Sequence, residues 1–583
     1  MDRKAWIAIA LSVAGLFAWQ WYVSKYQILS APAAKPAQPA EAAPGSASAP
    51  PAPLASPVPG APAAAAAPSH PVMAPRAESL SAESAEFIFN NDVGGIEEVI
   101  LLMHQGENER SVSLNRDRGM PIGALGFVPG EVFGGFEMRA DRSKREVTFS
   151  KAAPDGLEIT KRFILPPASE KKRLYTVALE VSFRNPGAAE LPVPAFFVSA
   201  GGAAPIHPTD LPMYTCFDWS NAGKMTSIDV NWFSASSVPV LGIPLRGERP
   251  LYLESKPDVQ WAAVASQYFC TIVTSKEPSA SVWSKRFDTK KANNTPVFGI
   301  QGAVGLNGFS LAPGATATKS FEIYAGPKDL SLLRQLGGNQ DAVLNFGMFG
   351  FVSEFLLWAM NHLKGWLGSY AAAIIVLTLC IKSALWPIQN KATNEMRKMS
   401  SLSPLMTSLK EKYKDDPQKM NEETMKLYRE YGVNPLSGCF PMLIQIPIFF
   451  GFYAMLGTAI ELRNSSFFWI HDLSQPDTIT HMLGFPINLL PLIMSCTMIW
   501  QMVISPKSGD ANQQRILYFM PVIFLVFCYN YASGLALYWT TQNIFSIVQL
   551  YLTRNKPLPT LQKKSVVARR DAASAKKQKK KRP

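Results

Sequence analysis

Cysteine and histidine are scarce: the 583-residue chain has six of each. Six cysteines are too few for a disulfide scaffold, and with no Cys-x-x-Cys spacing a redox or zinc site of that kind is excluded. The histidines, at 70, 104, 207, 362, 471 and 481, are scattered without metal-ligand spacing. Catalytic signatures are missing too: there is no Gly-x-x-x-x-Gly-Lys-Ser/Thr phosphate loop and no Gly-x-Ser-x-Gly nucleophile elbow. The chain therefore reads as no enzyme, with no catalytic residues, no cofactor and no metal. An ATP-driven machine is disfavoured, and any work must come from binding energy, hydrophobic partition or the membrane potential.

What is present is segregated. Dense apolar runs crowd roughly the last 240 residues, beyond what a soluble core needs. Cys380, Cys439, Cys496 and Cys528 fall inside them, where a thiol acts as a small hydrophobe. Cys216 and Cys270 lie elsewhere and could form one bridge if their part is extracytoplasmic. The formal net charge of +13 raises nucleic-acid and anionic-membrane hypotheses, and position decides between them. From Arg554 onward there are twelve Lys/Arg against the single acid Asp571. Directly after an apolar span, such a tail marks the cytoplasmic side and offers a surface to anionic lipid or RNA rather than to DNA.

At the other end, Asp2, Arg3 and Lys4 precede an apolar stretch from Ala5 to about Tyr22. It reads as an uncleaved anchor rather than a signal peptide, because Trp19, Trp21 and Tyr22 suit an interfacial belt better than a cleavage site. Residues 30–76 are Ala/Pro-rich and carry only Lys35, Glu41 and Arg76 as charges, so they form a semi-extended linker. At ~3.1 Å per residue it could reach on the order of 100 Å.

Residues 77–340 read as β-rich. Glu86–Phe89, Glu146–Phe149 and Tyr175–Val181 alternate with period two, and Pro154–Asp155–Gly156, Asn185–Pro186–Gly187 and Ala312–Pro313–Gly314 punctuate them. The pattern predicts an antiparallel sandwich, placed outside the cytoplasm by the preceding anchor.

Aromatic and aliphatic residues from Phe346 to Trp366 then predict an amphipathic helix along the interface, an extension of the next span being the alternative. Five spans follow, roughly Tyr370–Ile388, Cys439–Ile460, Leu483–Ile504, Ile516–Tyr531 and Leu535–Leu552. With the anchor they make six and put both termini inside. The loop 391–437 holds nine Lys/Arg, whereas Glu461–Met482 has only Arg463, and this bias gives the same topology. Within 391–437, Asp416–Pro417 signals a helix start and Gly432 a helix end, predicting two helices that join near Lys414–Asp415. Their Leu/Met positions read first as internal packing, with a client or ribosome contact as the functional alternative.

Polar residues interrupt the spans: Lys382, Gln445, Thr497, Gln501 and the run Thr540–Thr541–Gln542–Asn543. An intramembrane cation costs roughly 3 kcal/mol unless it snorkels or meets water. Snorkelling accounts for Lys382 alone; polar groups on several other helices point instead to a hydrated cavity.

Several runs, in order, carry a resemblance. They are Asn434–Pro435–Leu436, Gly438–Cys439–Phe440–Pro441, Leu443–Ile444–Gln445–Ile446–Pro447–Ile448–Phe449, Trp469–Ile470–His471–Asp472–Leu473, Phe519–Met520–Pro521–Val522–Ile523–Phe524 and Ser533–Gly534–Leu535 with Leu537–Tyr538–Trp539. Over about 345–555 the chain resembles the YidC/Oxa/Alb family of membrane insertases, in its Gram-negative form. The resemblance implies a polytopic α-helical protein of the bacterial inner membrane, with six spans. It also implies a large periplasmic antiparallel β-supersandwich, a cytoplasmic helical hairpin and cytoplasmic termini. The domains would be an anchor at 1–29, a linker at 30–76, the β-domain at 77–340, an insertase core at 341–555 and a basic tail at 556–583. A hydrophilic groove, open to cytoplasm and lipid, would take nascent membrane-protein clients alone or with the Sec translocon. The groove cation, usually arginine, falls at Lys382. Client-contacting positions fall at Thr378, Phe449, Met494 and Trp539, and Gln445 and Tyr538 complete the candidate set. A solute channel or transporter would use the same buried polar groups, and a membrane-anchored carbohydrate-binding protein would account for the β-domain alone.

Overall fold

The computed structural model describes residues 77–554 except 107–109, 117–118, 168–172, 208, 238–243, 290–296, 415, 434–439, 483–484 and 506–510. The expected anchor, linker and basic tail, and the runs Asn434–Pro435–Leu436 and Gly438–Cys439, lie outside the described residues.

Alternating side chains build the first half. In Glu158–Ile164 the odd positions Ile159, Lys161 and Phe163 are buried while their neighbours are half-exposed. Such strands assemble into a 12-stranded antiparallel sheet whose spine is the long hairpin of Tyr252–Ala265 with Phe269–Asp288. A second, 4-stranded sheet, Ala77–Ser81, Ala85–Asn90, Gly95–Gln105 and Ser111–Leu114, covers one end of it. The two sheets meet through Phe89, whose ring lies 5.4 Å from Phe163 and 6.3 Å from Phe149. This is the sandwich that the period-two segments predict.

The bridge between Cys216 and Cys270 is not formed; both thiols are free and buried. The register explains it: Cys216 pairs with Ala265, and Ala265 pairs with Cys270. The cysteines therefore sit two strands apart, about 10 Å, beyond the ~7 Å limit for Cα atoms of a disulfide. Burial pushes both thiols up, that of Cys270 to about 12, so they are inert as nucleophiles.

Lys161 is fully buried in the sandwich. Its ammonium lies 4.2 Å from the Phe136 ring centre and donates to the Val93 carbonyl at 3.2 Å. Burial holds this amine well below the ordinary lysine value of 10.5. A base whose folded pKa is depressed releases its proton on folding, so stability falls as pH drops from the unfolded value toward the folded one. The β-domain unfolding transition should therefore rise in temperature as pH climbs toward 10, and Lys161→Met should flatten that rise. Calorimetry of the full chain across pH 7–10 checks it; equal slopes would contradict it.

Helix α1 (Leu330–Leu336), capped by the Asp329 carboxylate on Ser331 and Leu332 amides, leads out of the sandwich. Helix α2 (Gly350–Leu367) follows. It buries Ser353, Leu356, Leu357 and Met360 against the helices that come next and leaves Phe351, Phe355, Trp358 and Trp366 exposed. Gly368, at φ 74°, ends it, and Ser369 caps helix α3 (Tyr370–Ser401), so α2 is separate and not an extension of the next span.

Among the described residues α3 is the helix long and apolar enough to cross a membrane by length and composition. It runs past the expected end at Ile388 to Ser401 and carries Pro387 within it. Helix α4 (Ser403–Lys412) and helix α5 (Pro417–Tyr431) follow; Asp416 caps α5 through the Lys419 amide, and Gly432 closes it in the left-handed conformation.

The remaining helices are α6 (Phe440–Thr458), α7 (Leu489–Ile504), α8 (Ala511–Cys528) and α9 (Ser533–Arg554). The stretch expected to be helical from Leu483 instead begins at Leu489, because Thr478–Met482 and Phe485–Asn488 pair as a hairpin. The Asp477 carboxylate accepts from the Leu490 amide at 2.6 Å, and Asn488 donates to the Tyr529 carbonyl at 2.6 Å. Both fix the helix start in place. Helix α9 touches α3, α6, α7 and thus forms the axis of the bundle.

A polar ladder along the axial helix

The site grows from one face of α9. Tyr538, Gln542, Ser546, Gln549 and Thr553 recur at intervals of three and four, which stack on one side of a helix. Over about 22 Å at 1.5 Å per residue, each rung meets another helix. Gln445 of α6 donates to the Tyr538 hydroxyl and to the Gln542 side-chain carbonyl, each at 3.0 Å. Lys382 of α3 donates to the Ser546 hydroxyl at 3.4 Å, and Ser546 donates in turn to the Gln542 carbonyl at 2.9 Å. Gln549 donates to Asn390 at 3.2 Å, and Arg397 donates to the Thr553 carbonyl.

Lys382 is only 7 % exposed and pairs with no described carboxylate. Its ammonium turns inward to α9 instead of reaching along its own helix, so the snorkelling alternative does not describe it. Thr378, one turn earlier on the same face of α3, is also buried, and its hydroxyl is spent on the Ile374 carbonyl at 2.7 Å.

The other expected residues fall elsewhere. Trp539, Phe449 and Phe524 form an aromatic cluster joining α9, α6 and α8, with centroids 4.8 Å and 4.6 Å from Trp539. Phe452 stacks on Tyr538 at 4.1 Å. Met494 is fully buried on α7, where Asn543 holds its carbonyl at 3.3 Å and the Thr497 hydroxyl at 3.1 Å. Of the seven, then, Lys382, Gln445 and Tyr538 line the ladder, Thr378 is buried one turn from Lys382 with its hydroxyl turned to its own helix, Phe449 and Trp539 form an aromatic layer beside the ladder, and Met494 packs against another face of α9.

Sequence reasoning missed Asn390, Arg397, Ser546, Gln549 and Thr553. The four-residue spacing on α9 was the available signal. Arg397 is a buried guanidinium near the end of α3, and it caps a carbonyl in the last turn of α9 that has no intrahelical partner. Arg397→Met should cost about 1.5–3 kcal/mol, the range for a hydrogen bond to a charged group. It should raise hydrogen exchange at the amides of 549–553; unchanged protection there would contradict the role.

Large apolar side chains cover the outside of the bundle. Phe519, Val522, Val526, Trp500, Val503 and Val548 are all exposed. A polar ladder inside an apolar exterior inverts the order of a soluble bundle and suits hydrocarbon as the surrounding solvent.

Two family models match the chain: the 60Kd inner membrane protein over residues 362–559 and the YidC periplasmic domain over residues 131–359. The membrane protein insertase YidC of Syntrophus aciditrophicus (strain SB) is 32% identical over 421 residues, covering 71% of this chain and 70% of the relative. That of Pelobacter propionicus is 38% identical over 303 residues, 51% of this chain and 54% of the relative. A crystal structure of an active YidC insertase with its first transmembrane domain resolved aligns over 83% of this chain and 94% of that one, at 19% identity and a TM-score of 0.34.

Proposed function

The chain belongs to the YidC family of membrane protein insertases, and from that premise we propose how its residues perform insertion. The observation that carries the reading is the ladder on α9 with Lys382 buried in it. A client's short polar segment that must cross the membrane exchanges water for Gln445, Tyr538, Gln542 and Ser546, while the Lys382 charge attracts its acidic groups. The client's apolar helix then leaves along α6 and α8 into lipid, where its own burial is favourable. Phe449 and Trp539, in the aromatic layer between those helices, are the client contacts; Thr378 and Met494, buried here, reach a client only after the helices part. No nucleotide is hydrolysed.

The same reading places the chain as a multi-pass protein of the inner membrane with six spans and cytoplasmic termini. Its divisions are an anchor at 1–29, a linker at 30–76, a periplasmic β-domain at 77–340, an insertase core at 341–555 and a basic tail at 556–583. The hairpin α4–α5 lies in the cytoplasm, where its lysines and those of the tail meet ribosomes and anionic lipid. Insertion proceeds alone or with the Sec translocon as a partner.

The test is insertion of a small client into vesicles holding only this protein, with solute flux followed alongside. Insertion without flux is expected. Flux without insertion would replace the reading by a channel or transporter.

A further inference from the structure

Two loops of the β-domain, residues 209–215 and 266–268, are seated on the end of the bundle opposite the α4–α5 hairpin. The Tyr214 hydroxyl meets the Tyr531 hydroxyl at 2.7 Å, and Tyr531 also donates to the Tyr453 carbonyl at 3.2 Å. Gln267 donates to the Gly457 carbonyl at 2.8 Å and to the Tyr268 hydroxyl at 3.0 Å. Tyr268 donates to the Ser474 carbonyl at 3.0 Å, and Thr209 bonds Gln475. From the bundle side Arg463 returns the contact, donating to the Gln105 carbonyl at 3.0 Å with its guanidinium over Phe269 at 5.1 Å.

This contact is built into the end of the polar layer. Gly457 lies twelve residues past Gln445 on α6, about 18 Å along the helix. Its carbonyl is among the last four of α6, which have no intrahelical donor, and Gln267 supplies one. Any side chain at Gly457 would collide with both the Tyr214 and Tyr531 hydroxyls, so the backbone there admits the β-domain closely. Below it, Tyr453 stacks on Tyr531 at 4.8 Å and on Phe527 at 5.7 Å, which continues the aromatic layer of Phe449 and Trp539. Gln267, Tyr268 and Tyr531 are all at most 6 % exposed. A hydrated ladder needs a watertight end, and here the Gly457 and Ser474 carbonyls take their donors from Gln267 and Tyr268 of the β-domain in place of water.

We infer that the β-domain has a function of its own within the insertase: its Tyr214 and Gln267–Tyr268 loops stopper the bundle end against water and ions. The inference rests on the insertase reading only for placing the bundle in a membrane. The separation of the two partners explains why no local motif announces it.

The test uses the full chain in vesicles under an imposed potential, reading proton leak, client insertion and hydrogen exchange together. Tyr214→Ala combined with Gln267→Ala, and independently Gly457→Val from the bundle side, are expected to raise exchange at 213–215 and 266–268 and to raise leak severalfold. Gln267→Leu, which keeps the volume, should leak less than the double variant and guards against a trivial folding defect. Raised exchange with unchanged leak would overturn the stopper, and unchanged exchange in both interface variants would overturn the contact as what seats the domain. If the unmodified chain inserts no client while the variants leak, the insertase reading fails and the stopper stands.

Discussion

Lys382→Ala should reduce client insertion about tenfold or abolish it, while Lys382→Arg should retain it. The side chain is buried among helices, bonds Ser546 at 3.4 Å and pairs with no carboxylate among the described residues, so its charge is available to an acidic group that enters. Two unit charges ~4 Å apart interact by about 4 kcal/mol at an effective dielectric of 20, and hydration of the proposed groove would leave on the order of 1–2 kcal/mol of that. A barrier change of that size is roughly tenfold in rate. Lys382→Met separates charge from volume: it preserves the straight aliphatic stem, so a defect equal to that of alanine assigns the effect to the charge. Arginine keeps the charge and adds a planar fork that grips carboxylates in pairs. The dependence should be strongest for clients with acidic residues in the crossing segment. Equal insertion by the alanine and arginine variants would remove the charge from the mechanism.

Phe452→Ala should be among the most destabilising single changes in the bundle. The ring is fully buried, lies against Tyr538 at 4.1 Å with planes 20° apart, and so forms the dry back of the polar layer. Deleting a buried phenylalanine side chain costs about 3–5 kcal/mol where the surroundings cannot collapse, through lost contacts and the cavity that remains. Here the loss has a second consequence, because Tyr538 accepts the Gln445 hydrogen bond at 3.0 Å. A Tyr538 ring freed to turn takes that rung of the ladder with it. Phe452→Leu, which keeps most of the volume, should recover most of the stability and insertion. Thermal unfolding in nanodiscs with insertion measured in parallel reads both; a loss below ~1 kcal/mol would show that α6 and α9 are not joined at this ring.

Much of this fold is legible in the amino-acid sequence, for identifiable reasons. The period-two segments at 86–89 and 146–149 are governed by local alternation and became strands. Asp416–Pro417 and Gly432 are short-range capping signals, and α5 begins and ends on them. The reversal at Ala532–Ser533–Gly534 between α8 and α9 also followed, since Ser533 and Gly534 donate their amides to the Gln475 and Leu473 carbonyls of the segment that joins α6 to α7. Hydropathy failed where side-chain chemistry overrode it. Residues 485–488 are apolar enough for a helix, yet Asp477 and Asn488 hold the backbone of Leu490 and Tyr529 and delay α7, leaving it 16 residues long. The cysteine pair failed because strand order, which no spacing encodes, puts Ala265 between Cys216 and Cys270.

The candidate site was half visible for a similar reason. Lys382 and Gln445 are conspicuous as polar residues in apolar runs. Ser546 is not, because small hydroxyls are common in membrane helices and only Lys382 on α3 turns it into a rung, and Thr553 enters through its backbone carbonyl, which no side-chain pattern announces. Phe449, Trp539 and Met494 entered together through resemblance, and the packing separates them: the first two share one aromatic layer with Phe524, while Met494 sits behind α9.

A photoreactive amino acid placed at Gln542, where the Gln445 and Ser546 bonds converge, tests the central claim most directly. With a client arrested during insertion, adducts should form to its polar crossing segment and shift to its apolar helix when the same probe is placed at Phe519 on the exposed face of α8. Adducts from position 542 to lipid alone, or to no client residue at any stage of arrest, would contradict the ladder as the path.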